Sequence, residues 1–296
     1  MKVLDFGSLN YDYVYQVDHI LVGGETSAAL SMETHIGGKG LNQAIALKKA
    51  GVNVFMAGSL GTDGVSIREL CRKEGVNTDY LASVDGKSGH TIIQVDKDAQ
   101  NCIMLYGGSN RKQEKPQIDR TLEDFGIGDI LLLQNEINHL NYIIDKASEI
   151  GMTIVLNPSP FDDNLKTCDM GKVDYFIMNE IEGSLLTGKE RYRDILSAMR
   201  LMFPKARTVL TVGKEGAYYQ DENVQVFQEA FPVKAVDTTA AGDTFTGYFI
   251  AGLVNGTDIN RNLRMCARAS SIAVTKKGAT DSIPEYEDVL CADVEI

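Results

Sequence analysis

Apolar residues come along this chain in short unbroken runs: VLDFG (3–7), VFMAGSLG (54–61), DILLLQNE (129–136), TIVLNPSP (153–160), DYFIMNE (174–180) and TVLTVG (208–213). Runs of this length, bounded by polar residues or glycine, predict buried strands. Between several of them the apolar positions change to helical spacing. LNQAIALKKAG (41–51) is one such segment, and HLNYIIDKASEIG (139–151) is another, with Leu140, Ile143, Ile144 and Ala147 sharing a face. Alternating strand and helix predicts an α/β fold with a mainly parallel central sheet covered by helices on both faces. The strands run out into Asn135, Glu136, Asn157, Asn179, Glu180 and Gly213, and ligands of open α/β sheets gather at such carboxyl ends.

Two stretches break this rhythm. Residues 11–36 contain YDYVYQVD and SAALSMETHI, and residues from about 89 to 107 contain TIIQVDKDAQNCIMLY, two alternating runs around a polar turn. They predict a small antiparallel sheet inserted into the α/β unit. One face of such a sheet is apolar and must cover something, either a substrate pocket as a lid, a second copy of the chain, or both. No repeat, low-complexity segment or linker divides the chain, so residues 1–296 read as a single domain carrying this insertion.

Composition narrows the partners. With 29 Lys and Arg against 41 Asp and Glu, the formal charge is -12, which argues against nucleic acid or an anionic membrane as a partner, since both want a basic face. Five cysteines at 71, 102, 168, 266 and 291 are scattered without a C-x-x-C, so reduced thiols are expected rather than a disulfide framework or a zinc site. The opening MKVLDFGSLNYDYVYQ meets an acid and a glycine before it could build a signal segment, and no later run is long enough for a membrane span. A soluble cytoplasmic protein is the expectation.

The common phosphate-binding signatures are absent. The Gly-Lys pairs that begin at Gly38, Gly188 and Gly213 are followed by Gly40, Glu190 and Glu215, which excludes a P-loop, and no GxGxxG follows the first strand. What remains is IGGKGLNQA (36–44), where glycines give close backbone access, Lys39 supplies a cation and Asn42 begins a helix. On its own it reads equally as a glycine-rich turn with a solvated lysine. The second motif is DTTAAGDTFTGYF (237–249). Its AAGD places consecutive N–H groups, unobstructed by large side chains, at a helix N-terminus, which makes an anion hole. Phosphoryl transfer consists mostly of positioning and of meeting charge with fixed donors. Asp243 beside such a hole reads as a helix cap, as a general base taking the proton of an attacking hydroxyl, or as both.

Together these residues carry a resemblance. The chain resembles sugar kinases of the ribokinase family (the PfkB group) nearly from end to end: GSLNYD (7–12), IGGKGLNQA, NPSP (157–160), MNEIEGSLLTG (178–188), TVGKEGAYY (211–219), DTTAAGDTFTG (237–247) and AVTKKGATDSIP (273–284). The two glycine motifs in this order, about 200 residues apart, are specific in combination. The resemblance implies a ribokinase-like three-layer sandwich with a small inserted β-sheet lid, an ATP-dependent carbohydrate kinase activity, Mg²⁺ with the nucleotide, activation by K⁺, and a homodimer formed through the lid.

It also implies site residues. Sugar would be held by Asn10, Asp12, Gly38, Lys39, Gly40, Asn42 and Glu136, with Asp243 as base and the amides of Ala240, Ala241 and Gly242 as the anion hole. Asn, Asp and Glu suit a polyol, whose hydroxyls both donate and accept. ATP would meet Asn179, Glu182, Thr211, Gly213, Gly216 and Gly242, although Glu182 reads equally as a solvated helix residue. A monovalent cation would take Asp237, Thr239, Ala273, Lys276, Gly278 and Ser282, several by backbone carbonyl. The intact GSLNYD favours D-ribose as substrate. The lid strand TIIQVD (91–96) departs from the family's usual residues, with His90 and Gln94 expected near the sugar, and this leaves a nucleoside or a ketohexose open. A catalytically silent sugar-binding regulator is disfavoured, because Asp243, AAG, Lys39 and Asn179 are all present.

Overall fold

The computed structural model describes residues 1–98 and 100–291. The six apolar runs all become strands: β1 (Val3–Phe6), β4 (Val54–Leu60), β8 (Ile130–Gln134), β9 (Thr153–Asn157), β10 (Tyr175–Asn179) and β11 (Arg207–Thr211). With β5 (Asn77–Ser83), β12 (Gly216–Gln220) and β13 (Gln225–Glu229) they form one nine-stranded sheet in the order β13-β12-β11-β10-β9-β8-β1-β4-β5. Pairing is parallel from β11 to β5, and β12 and β13 are added antiparallel at one edge.

Each parallel strand but the edge strand β5 is apolar on both faces, because helices cover both. Along β8, Ile130 and Leu132 belong to one core, Leu131 and Leu133 to the other. The first core is closed by α1 (Lys39–Lys49), α7 (Ala241–Val254) and α8 (Ile259–Ala273), through Leu41, Ile45, Phe245, Phe249 and Leu263. The second is closed by α3 (Lys115–Leu122), α4 (Leu140–Ile150) and α6 (Tyr192–Met202), through Ile118, Ile143, Ile144, Leu196 and Met199. The result is the three-layer α/β arrangement. No helix among the described residues is long and apolar enough to cross a membrane.

From β1 the chain builds outward through β4 and β5, then returns to lay β8 against the other side of β1 and builds away from it. The direction of winding therefore reverses between β1 and β8, and a crevice opens at their carboxyl ends. Ser8 and Asn10 leave β1 there, and Glu136 leaves β8 there.

The small sheet has the order β3-β2-β6-β7, from β2 (Asn10–Gln16), β3 (Ser31–Gly37), β6 (Gly89–Val95) and β7 (Asn101–Tyr106). It is mixed rather than antiparallel. β3 and β7 pair antiparallel with their neighbours, but the central pair β2 and β6 runs parallel. Alternation marks the faces of a strand and leaves the direction of its neighbour open. Both central strands leave the large sheet in the same sense, one directly after β1 and the other after β5.

α1 and α7 lie against each other at a point where a side chain is lacking. A methyl group on Gly247 would come within 2.4 Å of the Ala46 Cβ and 2.8 Å of the Leu47 amide nitrogen. In an exposed helix Gly→Ala stabilises by up to about 1 kcal/mol, whereas a methyl forced into a closed contact costs about 1–3 kcal/mol. Gly247→Ala is therefore expected to lower the midpoint of thermal unfolding by several degrees; a midpoint equal to or above that of the parent would show that this contact does not fix the helix spacing.

Candidate active site

The IGGKG turn packs onto the end of β1 without intervening side chains. A Cβ on Gly40 would lie 2.6 Å from the Ser8 nitrogen and 2.7 Å from Gly7 Cα, and Gly38 has φ of 101°. The Leu41 amide donates to the Ser8 carbonyl at 3.0 Å. The Glu136 carboxylate ties this junction from the β8 side, accepting from the Ser8 hydroxyl and, at 3.4 Å, from the Lys39 amide. The turn thus delivers α1 with Asn42 and Gln43 in its first turn, both buried.

Across from them is the start of α7. Its N-cap is Ala240, in the left-handed region at φ 59° and with no side-chain capping bond, a conformation that costs an alanine roughly 1–2 kcal/mol. Asp243 therefore does not cap the helix. Its Oδ2 accepts from Asn42 Nδ2 at 2.9 Å and its Oδ1 from Gln43 Nε2 at 2.8 Å. The capping role expected from sequence gives way to a carboxylate aimed at α1. The helical ladder begins with Thr244 donating to Ala240 at 2.8 Å, so the Gly242 and Asp243 amides precede it, as first-turn amides do. The Ala241 amide is engaged by the Thr238 carbonyl at 3.3 Å. Among the described residues, nothing beyond its chain neighbours and its own helix backbone comes within 4 Å of the position a Cβ on Gly242 would take.

Four charged groups converge here. Burial works to lower the Lys39 ammonium, but the carboxylates of Asp243, Glu136 and Glu182 outweigh it and hold Lys39 above the usual lysine range. Glu136 is raised by burial, with a further push from the Asp243 charge, against the pull of Lys39 and the Ser8 hydrogen bond.

Asn10 and Asp12 lie on β2 at the small sheet. Asn10 Oδ1 accepts from Asn110 Nδ2 at 2.7 Å, and Asn110 also clamps the Leu9 amide at 3.1 Å. Asp12, lifted by burial, accepts from the Thr91 hydroxyl, its register partner on β6. His90 and Gln94 are one and three residues from Thr91 and so point to the opposite face. His90 meets Tyr13 edge-on and Tyr106 at a tilt, and Gln94 accepts from the Leu21 amide at 3.0 Å. On β6 it is Thr91, with Ile93 and Val95, that shares the Asp12 face, in place of the His90 and Gln94 expected from sequence.

The residues assigned to nucleotide also cluster at strand ends. Asn179 and Thr211 are register partners at the carboxyl ends of β10 and β11. Asn179 and Glu182 form a reciprocal capping box at the start of α5 (Glu180–Thr187), with Asn179 Oδ1 accepting from the Glu182 amide at 2.8 Å and the Glu182 carboxylate accepting from the Asn179 amide at 3.0 Å. Glu182 is buried, not a solvated helix residue. Gly213 opens the short turn after β11, and Gly216 packs against the Gln228 carbonyl on β13.

The proposed cation loops are brought side by side. The Val274 carbonyl accepts from the Val236 and Asp237 amides at 2.7 and 3.2 Å. Asp237 Oδ1 accepts from the Thr239 amide and hydroxyl, and Oδ2 from the Gly278 amide at 3.0 Å. The Lys276 amide donates to the Ala273 carbonyl at 3.1 Å, and the buried Ser282 hydroxyl donates to Ala279. The donors are all hard oxygens, the chemistry a K⁺ ion requires.

Sequence reasoning missed Gln43, Gln134, Ser8, Thr91 and Asn110. Gln43 and Ser8 had a signal, their places inside IGGKGLNQA and GSLNYD, and Thr91 opens the lid strand TIIQVD.

The profile of the pfkB family of carbohydrate kinases matches residues 1–286. A ribokinase from Haemophilus influenzae is 31% identical over 296 residues, covering 96% of this chain and 95% of its own. A deoxyribokinase from Salmonella typhimurium is also 31% identical, over 97% of each chain. Among solved structures, Arabidopsis thaliana ribokinase complexed with ribose and ATP superposes with a TM-score of 0.85 at 29% identity, covering 98% of this chain and 97% of that one. Sequence and fold agree over practically the whole length of both partners, and the protein belongs to the pfkB family as a ribokinase-like carbohydrate kinase.

Proposed function

We propose that the protein transfers the γ-phosphoryl group of ATP to the terminal hydroxyl of a free pentose, D-ribose giving ribose 5-phosphate, in the cytoplasm. The observation that carries this reading is Asp243: a carboxylate at a helix start that leaves the helix uncapped and is instead held by Asn42 and Gln43, next to first-turn amides and open space at Gly242. The named relatives act on ribose or deoxyribose, and one solved neighbour holds ribose and ATP.

In this mechanism the polyol is received by Asn10, Asp12, Asn42 and Glu136 around the GGKG turn. Two N–H donors fix the Asp243 carboxylate, so its free lone pairs face the incoming hydroxyl and accept its proton as oxygen attacks the γ-phosphorus and the bond to the β-phosphate oxygen breaks, releasing ADP. The amides of Ala240 and Gly242 meet the charge on the equatorial oxygens, and the Ala241 amide, engaged by the Thr238 carbonyl, joins them only on leaving that partner. Nucleotide lies along the Asn179, Glu182, Thr211, Gly213 and Gly216 side. Mg²⁺ supplies charge neutralisation for the triphosphate with which it arrives. K⁺ between the Asp237–Thr239 and Ala273–Ser282 loops would hold the AAGD backbone in place from behind.

The small sheet acts as lid and dimer contact. Asp12 and Thr91 place one of its faces on the sugar side, while Met32, Met104 and Tyr106, which share the opposite face, are exposed. A second copy covers them.

Three outcomes check this reading. Asp243→Asn, nearly isosteric, is expected to fold and to keep both Michaelis constants within about tenfold while losing at least about a hundredfold in kcat on the best sugar of a panel of ribose, deoxyribose, arabinose, fructose, adenosine and pseudouridine. Retention of most of kcat would sink the mechanism, and adenosine outrunning ribose by a wide margin would replace the substrate. Rates with Mg-ATP should rise when K⁺ replaces a large organic cation at constant ionic strength; equal rates remove the cation from the scheme. Met104→Lys should shift the chain from dimer to monomer in sedimentation equilibrium, and an unchanged mass would mean that the exposed face serves something else.

A further inference from the structure

Behind Asp243 a line of buried side chains crosses the central sheet. Gln43 Nε2 donates to Asp243 Oδ1 at 2.8 Å, and Gln43 Oε1 accepts from Gln134 Nε2 at 2.8 Å. Gln134 Nε2 donates its other proton to Asp5 Oδ1 at 3.1 Å. Asp5, Gln43 and Gln134 have no solvent exposure at all. Asp5 lies in the middle of β1, between Met56 and Leu132 on its neighbours, a place where an apolar residue would pack. Burial lifts its carboxyl well above the usual carboxylate range, and the Asp243 charge adds to this against the Gln134 hydrogen bond. A Cβ on Gly7 would meet Gln134 Oε1 at 2.2 Å and Asp5 Oδ1 at 2.9 Å, so the backbone beside this pair is kept bare for it.

We propose that Asp5 is a positioning residue for Asp243: as the acceptor at the far end of the line, it directs the Gln134 amide so that Gln134 Nε2 meets Gln43 Oε1 and braces Gln43 in presenting its Nε2 to Asp243. A primary amide has a donor end and an acceptor end of nearly the same shape, and only its partners choose between the two orientations. Three contacts join Asp5 to Asp243, and each needs one proton. Gln134 Nε2 supplies two, and Gln43 Nε2 supplies the third. This works because the far group accepts. With no acceptor at residue 5, Gln134 loses the partner that holds its Nε2 in place. Gln43 Nε2 then has only Asp243 and, at 3.4 Å, Asn157 Oδ1 to direct it, and with its Oε1 no longer met by Gln134 the amide holds less firmly the group proposed to take the sugar proton. The inference rests on reading Asp243 as the base.

The test compares Asp5→Asn, which keeps an oxygen acceptor, with Asp5→Val, which has none, and crosses the second with Gln134→Met. Asp5→Val is expected to lower kcat by about tenfold with the Michaelis constants for sugar and ATP unchanged within about twofold, as misorientation without loss of binding predicts. Asp5→Asn should retain kcat within about threefold. Gln134→Met alone should reproduce the loss, and Asp5→Val should add nothing to it, because Asp5 acts only through Gln134. Far-ultraviolet circular dichroism and thermal melts verify folding, and if Asp5→Val does not fold, Asp5→Asn and Gln134→Met still decide. Wild-type kcat in Asp5→Val or in Gln134→Met, equal losses in the Asn and Val variants, or a further loss in the double variant would each overturn the proposal. Because Asp243→Asn is measured alongside, a failure of the base and a failure of its positioning are told apart.

Discussion

The contact on which the rest of this site depends is the one between α1 and α7. These helices begin about 200 residues apart in sequence and meet where Gly247 leaves no side chain between them and Ala46. That spacing brings Asn42 and Gln43 within hydrogen-bonding distance of Asp243. Hydrogen bonds alone would not hold two helices at this distance, since each contributes only about 1 kcal/mol net. The apolar packing of Leu41, Ile45, Phe245 and Phe249 does, and the polar groups beside it are oriented by it.

The strands were legible in sequence because each is apolar on both faces, and that requirement leaves continuous runs. Two of the three unread strands of the large sheet lack it. β5 mixes polar and half-buried positions, and β13 alternates exposed with half-buried residues at the sheet edge. The glycine motifs were legible for a related reason, since close backbone approach excludes side chains and so leaves a mark at fixed positions. Gln134 and Asn110 leave no mark. Their partners Asp5 and Asn10 lie 129 and 100 residues away, and an amide that satisfies a distant group looks in sequence like any polar residue at a strand end. Asp5 was visible, as the only charge inside VLDF, but its meaning needed the partner. Asp243 shows the limit from the other side: position in sequence suggested a cap, and only coordinates reveal that its carboxylate turns away from its own helix.

Several residues carry a packing role and a proposed chemical role at once. Glu136 fixes the GGKG turn through Ser8 and the Lys39 amide, and Glu182 closes a capping box at α5. These are not competing explanations. A carboxylate that must present one oxygen to a ligand in a fixed direction needs its other contacts satisfied by the scaffold, which removes the entropy of orienting it at the moment of binding. The structural bonds are the means by which the site is ready beforehand.

The charge balance then constrains how an anion could be received. The chain is acidic overall, and the one lysine of the glycine turn is faced by Asp243, Glu136 and Glu182, so its charge is compensated before any ligand arrives. Net charge does not draw a phosphoryl group to this place. Under the proposed reading the attraction comes from oriented dipoles, the first-turn amides of α7, and from cations that arrive with the nucleotide or sit in the adjoining loops. Dipoles fixed in the backbone have a short reach and a definite direction. They reward an anion only at the helix start, where the Asp243 carboxylate already stands, and there is little gain in binding it anywhere else on the surface. An acidic protein can in this way handle a polyanion without becoming sticky toward others, provided that the backbone at Ala240 is held in its strained left-handed turn. Rigid packing of α7 against α1 supplies that provision, and recognition and stability rest on the same few contacts.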